Sequence, residues 1–381
     1  GKKTALITID NQWNEKKNTY NDLANYVENL TPIIKKNSKN LRQIMIHGSA
    51  SLETSVSMLA CAKIGVTHSV IFEELHQDAI LKRIHLIKPQ LIITRTKNKK
   101  ILKFFQISSK KYNFKLIHLS NNKLLKHIDN FNLDIISKKD SNTKILTSFV
   151  KSNQNLFNLF TSGSTGDPKG IIHSSAGYLL YSKYTCIKSF GLKKNSIILC
   201  ASDAGWINGH TYSLYGPLSI GSTSILLEKP ISILNIKKFL EILESFRVTI
   251  LYLPVTLIRM LKSIQPQLKF RSQNLKVLGS MGEPLAYTVA KWYSGAFVKK
   301  NTPIVNTYFQ TETGGIIFSP KYNDKLNSKT YGTVGKSINN YLNLNIKKNE
   351  SINELKVNKI WPGCMINIIN GNEVWKKYWD N

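Results

Sequence analysis

The stretch LFTSGSTGDPKGIIHSS, Leu159 to Ser175, decides how the rest of the chain is read. It begins as an apolar strand around Leu156, Phe157, Leu159 and Phe160, then breaks into glycines and hydroxyl residues. Gly163, Gly166 and Gly170 allow the backbone to turn with positive φ and to approach a ligand closely. Successive N–H groups in such a loop form an anion-binding nest. Thr161, Ser162, Ser164 and Thr165 add hydroxyls and Lys169 a cation, a composition suited to nucleotide phosphates. The spacing is neither G-x-x-x-x-G-K-[ST] nor G-x-G-x-x-G. A Ser/Gly linker is the plainer alternative, but the run is short, follows an apolar strand and carries Pro168-Lys169-Gly170.

TSGSTGDPKG resembles the signature loop of the acyl- and aryl-adenylate-forming enzymes, and IIHSSAGYLL resembles their acetyl-CoA synthetase branch. The resemblance implies that Thr161, Ser162, Gly163, Ser164, Thr165, Gly166 and Lys169 hold the distal phosphates of ATP. MLACAKIGVTHSVIF (58–72) is similar to a segment of the same branch.

Three later stretches agree with it. SDAGWINGHTYSLYGPLSIGSTSILLE (202–228) resembles the segment holding the acyl pocket and a gating aromatic, which assigns the gate to Trp206. On residue type alone, Trp206 and His210 are equally core side chains beside a tight turn. VLGSMGEPL (277–285) follows a strand, and ligands of parallel sheets gather at the strands' carboxyl ends. The resemblance puts Gly282, Glu283 and Pro284 on the adenine and ribose side, although glycine before proline also punctuates helix starts. TYFQTETGG (307–315) carries Glu312 among small hydroxyl residues. A solvated loop Glu is the ordinary reading; the resemblance makes Glu312 the Mg²⁺ residue and Thr311 a hydroxyl on the α-phosphate. The nucleotide-binding set it implies includes Asn306, Thr307, Tyr308 and Gln310, and the acyl pocket is Ile207, Asn208, Met281 and Phe309.

The chain also departs from the acetyl-CoA synthetase pattern. Asn306 replaces an acidic residue, Phe309 a tryptophan, and Glu73-Glu74 a Gly-Gly pair near the nucleotide of coenzyme A. Lys100 and Lys103 align with two arginines that contact CoA phosphates; they keep the charge and lose the bidentate fork. After Trp361-Pro362-Gly363 there is no counterpart of the family's T-G-D motif, hinge or C-terminal domain with its adenylation lysine. A truncated chain, poor at the overall reaction or only a nucleotide-binding remnant, is therefore expected.

The 381 residues exceed one typical domain. Strands alternate with helices from Thr4 to Thr94 and again from Ser196 to Tyr308, which implies parallel sheets in an α/β fold. The expected division is 1–150 and 151–320 as two α/β subdomains, with 321–381 beginning a β-rich third. The balance of 53 Lys+Arg against 23 Asp+Glu gives a net charge of +30. The lysines are dispersed and no recognition module accompanies them, so no nucleic-acid partner is expected. Four separated cysteines suggest neither disulfides nor a metal site, and with no secretory signal they point to the cytoplasm. The most apolar run, Val248 to Ile258, is too short to span a bilayer, so no membrane partner is expected. The implied reaction is ATP- and Mg²⁺-dependent activation of a short acid, acetate or propionate, followed by transfer to CoA.

Overall fold

The structure, a computed structural model, describes residues 1–381 except 38–40, 121–127, 137–144, 163–167, 299–301, 303, 325–330, 340–341, 343, 348–353, 370 and 380–381. Two sheets carry the architecture. The seven-stranded sheet runs, edge to edge, Ile304–Asn306, Val277–Met281, Ile250–Pro254, Ile197–Cys200, Thr223–Leu227, Thr4–Ile9 and Glu15–Thr19. All its pairings are parallel except the last. Val277–Met281 and Thr223–Leu227 are buried at every position. Both faces are covered, so these strands read as unbroken apolar or small-residue runs rather than alternating ones.

The eight-stranded sheet runs Asn367–Ile368, Pro168–Ser174, Asn155–Ser162, Thr67–Ile71, Gln43–His47, Leu91–Thr94, Lys115–Leu119 and Asp129–Phe131. It is parallel from Asn155–Ser162 onward and antiparallel at the other edge. Two small hairpins, Phe318–Ser319 with Lys336–Ser337 and Leu344–Lys347 with Glu354–Val357, lie in the later part of the chain.

The sheets cross the expected division at residue 150. Thr4–Ile9 and Glu15–Thr19 belong to the sheet of residues 197–306, whereas Asn155–Ser162 and Pro168–Ser174 complete the sheet of residues 43–131. Nor is the tail a separate layer throughout: Asn367 and Ile368 pair with Ile172 and Ile171. The helix Ser175–Phe190 lies at the seam. Tyr178 joins the core of Phe157 and Leu159, while Cys186 and Phe190 join that of Tyr252 and Val277.

Two of the elements that were not foreseen carry candidate ligand residues. Lys99–Tyr112 is a helix whose Ile101, Leu102, Phe105 and Ser108 are buried on one side. Intervening lysines hide that pattern, and Asn98 caps it by accepting from the Lys100 and Ile101 N–H groups. Pro168–Ser174 is a strand, although Pro-Lys-Gly reads as a turn. Its first residue is proline, which an edge of a hairpin tolerates.

Candidate functional site

Asn155–Ser162 and Pro168–Ser174 form an antiparallel hairpin in which Thr161 faces Lys169 and Ser162 faces Pro168. Residues 163–167 connect them, so Gly163, Ser164, Thr165 and Gly166 lie outside the described residues. Gly170 does not have the positive φ expected of it. It is buried, and a Cβ there would meet the Ile369 side chain at 2.6 Å, so packing of the edge strand keeps it small. Lys169 is half-buried, its Nζ 5.7 Å from the centroid of the Tyr378 ring.

Thr311–Thr313 form a single 3₁₀ turn, entered through Gln310, whose N–H donates to Thr313 Oγ1. The turn is braced from four sides. His173 Nε2 donates to the Thr311 carbonyl at 2.7 Å, and the Met365 N–H to the Glu312 carbonyl at 2.9 Å. Trp361 Nε1 donates to the Thr313 carbonyl, and Thr211 Oγ1 to that of Gly314. Gly314 has φ +68°, and a Cβ there would collide with the Gly363 carbonyl. Glu312 accepts the Tyr378 hydroxyl on Oε1 at 2.8 Å; among the described residues Oε2 takes no partner.

This donor set fits a magnesium ion in one way only. Among the described residues no cluster of three or more His, Cys, Asp or Glu could cage a metal. A single carboxylate with a free oxygen, half-exposed beside the hairpin that carries Lys169, suits a cation that keeps waters and takes its other ligands from elsewhere.

Of the expected acyl-pocket residues, Asn208 and Met281 are brought into contact, and Phe309 packs on the cores to which Ile207 and Met281 belong. Trp206 is 50% exposed and stacks edge-on against Phe72, 5.2 Å away. Gly205 lies so close to the Phe72 ring that a Cβ would meet it at 2.6 Å. Ile207 is buried, and the Asn208 amide nitrogen contacts the Met281 sulfur. Phe309 packs against the cores of both sheets and lies edge-on to Tyr212 at 5.6 Å. A buried π-helical turn, Gly209–Tyr215, follows Asn208, and Tyr212 Oη accepts the Ile316 N–H. Such turns are frequent at functional sites. His210 is fully buried between Phe157 and His68, which is the core reading; burial holds it neutral, and the neighbouring His68 adds to that.

Other expected residues divide. Gly282 ends the strand Val277–Met281 with φ +89° and no neighbour for a Cβ, so its backbone conformation, not space, calls for glycine. Glu283 is ion-paired with Arg259, and Pro284 is exposed. The Asn306 side chain is committed, accepting from Ser280 Oγ and donating to the Gly332 carbonyl. Thr307 Oγ1 is likewise held by Tyr252 and the Ser280 carbonyl. Tyr308 is more exposed and stacks on Phe318. Lys100 and Lys103 are not brought to these residues. They line a separate cleft of about 460 Å³ with Lys111, Phe104 and Tyr112. Glu73 and Glu74 face Arg95 and Lys229, at 3.9 and 2.7 Å, and Arg95 also binds Glu228 at 2.8 Å. Nearby, burial pushes the Asp203 carboxyl up to about 6.

Sequence reasoning missed His173, Trp361 and Tyr378 as parts of the Glu312 surroundings. Only the Trp-Pro-Gly run carried a signal, because the others act through contacts with residues far away in the chain.

The strand that carries Lys169 and the braced Glu312 turn thus meet beside the seam of two mostly parallel sheets, in an α/β protein. The AMP-binding enzyme family matches residues 1–379, and the chain belongs to that family. It is 36% identical over 326 residues to the acetyl-coenzyme A synthetase of Helicobacter pylori (strain P12), covering 79% of this chain and 48% of that protein. To the acetyl-coenzyme A synthetase of Leptospira biflexa it is 32% identical over 389 residues, covering 95% and 59%. The chain thus spans about half the length of the curated relatives it matches. The crystal structure of an acyl-CoA synthetase from Brucella canis superposes with a TM-score of 0.79 at 18% identity, over 97% of this chain and 67% of that one. That likeness establishes the fold, the large N-terminal part of the adenylate-forming architecture.

Proposed function

We propose that the chain binds ATP with Mg²⁺ and a two- or three-carbon acid, acetate in the first place, and takes part in forming the acyl-CoA. A carboxylate oxygen of the acid attacks the α-phosphorus, the bond to the bridging oxygen breaks, and pyrophosphate leaves. The CoA thiolate then attacks the acyl carbonyl and AMP departs. Magnesium, when bound, neutralises phosphate charge. The chain's own residues position and stabilise: Lys169 and the hairpin loop on the outgoing pyrophosphate, Thr311 at the α-phosphate, and Trp206, Ile207, Asn208, Met281 and Phe309 around the acyl group. Lys100 and Lys103, on one cleft, suit the phosphates of CoA. The four cysteines are free and buried, which supports a reducing cytoplasm. Among the described residues no helix is long and apolar enough to cross a membrane.

The observation that carries this reading is the bracing of the Glu312 turn by His173, a residue of the same strand as Lys169. It holds a carboxylate and an ammonium on neighbouring edges of one site. The Glu73–Arg95 and Glu74–Lys229 pairs favour a second reading, nucleotide binding without turnover. The test is acid-dependent ATP–pyrophosphate exchange with acetate and propionate, beside calorimetric ATP binding. Exchange abolished by Glu312→Gln supports the first reading; tight ATP binding with no exchange supports the second. Absence of any ATP binding refutes both.

A further inference from the structure

Tyr378 touches two groups that come from different parts of the chain. Its hydroxyl donates to Glu312 Oε1 at 2.8 Å, and its ring lies 5.7 Å from Lys169 Nζ. Its own place is set by packing. The short helix Asn372–Lys376 precedes it, and its N–H donates to the Trp375 carbonyl. Trp375 and Trp379 pack on the cluster containing Ile171, Ile317, Trp361 and Met365. The side chain is thus set against the site from a buried platform, with 37% of its surface exposed.

The chemistry of the pair is specific. A half-exposed glutamate turns freely about its last torsion and offers water either oxygen. A phenol donating to Oε1 holds the carboxylate plane and leaves Oε2 to bind a cation through one oxygen. The same ring keeps the Lys169 ammonium close through its negative face. A rotatable carboxylate and a flexible lysine are thereby ordered before any phosphate arrives. We propose that Tyr378 is a positioning residue for the metal and the distal phosphates, presenting Glu312 through a single oxygen and holding Lys169 beside it. The inference rests on the reading of Glu312 as the magnesium carboxylate.

The experiment measures ATP affinity by calorimetry with Mg²⁺ and with EDTA, and takes the ratio of the two as the metal's contribution. Variants are Glu312→Gln, Tyr378→Phe and Tyr378→Ala, with near-ultraviolet circular dichroism reporting the fold. Partners that orient a ligating group typically contribute 10- to 100-fold to metal affinity. Tyr378→Phe keeps the ring, so the ratio falls by about tenfold or more while affinity in EDTA stays unchanged. Tyr378→Ala also removes the ring, and affinity in EDTA weakens a further two- to five-fold or about that. A merely structural residue would weaken both conditions equally, and that result overturns the proposal. A ratio that rises in Tyr378→Phe overturns it too, because Tyr378 would then compete with the metal. If Glu312→Gln collapses the ratio and Tyr378→Phe leaves it intact, the inference fails and the metal assignment stands. If Glu312→Gln leaves the ratio unchanged, the metal assignment itself fails.

Discussion

Replacing His173 by leucine probes the bracing of the Glu312 turn directly. The His173 ring is fully buried, 5.1 Å from Phe157 and 5.3 Å from Tyr178, and its Nε2 lies 2.7 Å from the Thr311 carbonyl. A carbonyl can only accept, so Nε2 carries the hydrogen. Leucine has a comparable apolar body and no donor, which strands a buried carbonyl at a cost of about 1–3 kcal/mol. The lost aromatic contacts add about 1 kcal/mol, for a total of about 2–4 kcal/mol. Glutamine retains an N–H donor and is expected to recover part of the loss. Because Glu312 follows Thr311, the same leucine variant weakens ATP binding more with Mg²⁺ than in EDTA. Urea unfolding followed by tryptophan fluorescence measures the first effect and calorimetry the second. A loss below about 1 kcal/mol, or glutamine as damaging as leucine, would refute the bracing role.

Three further outcomes can be checked. Lys169→Ala is expected to weaken ATP by about 1.5–3 kcal/mol and AMP far less, since its partners are the distal phosphates; equal losses in calorimetry count against the assignment. Phe309→Gly opens the pocket at the seam and admits longer acids, while Phe309→Trp sharpens the preference for acetate. One methylene is worth about 1–3 kcal/mol, and an unchanged chain-length profile in acid-dependent exchange removes Phe309 from the pocket floor. Burial holds His47 and His173 at about 4 and His68 at about 3, below the ordinary 6.5, so they stay neutral in the fold while the unfolded chain takes up protons. Their contribution is complete above about 6.5 and is lost as the pH falls from there toward 4, only partly offset by Asp203, which takes up its proton near 6 in the fold. The urea midpoint at pH 5 is therefore lower than at pH 7.5, and an equal or higher midpoint contradicts the burial argument.

Much of this site was legible because its residues are consecutive. Thr161 to Lys169 and Thr307 to Gly315 each follow an apolar strand, and the position of a motif after a strand is a local property of sequence. Gly282 was legible for the same reason. What escaped depends on partners distant in the chain. The strand Pro168–Ser174 exists because Asn155–Ser162 lies alongside it, and a period-2 signal is weak where glycine and proline open the segment. Gly170 looked like a phosphate glycine until Ile369 proved to be its neighbour. Tyr378 sits in a tail of lysines and aromatics without periodicity, and only its approach to Glu312 distinguishes it from Tyr322 or Tyr331. Sheet membership does not follow the division at residue 150, because it is set by hydrogen-bond partners rather than chain order.

That membership bears on how the chain is made. The interior strand Thr4–Ile9 pairs on one side with Thr223–Leu227, and the Thr223 hydroxyl reaches the Thr4 carbonyl across 219 residues. At about 5–20 residues per second, a ribosome needs about 10–40 s to supply that partner after the strand has been synthesised. Through that interval one of the most apolar segments of the chain has only the short, polar Glu15–Thr19 to pair with, and its other edge stays open. A nascent chain of this shape offers a binding segment to chaperones early, and its seven-stranded sheet closes late.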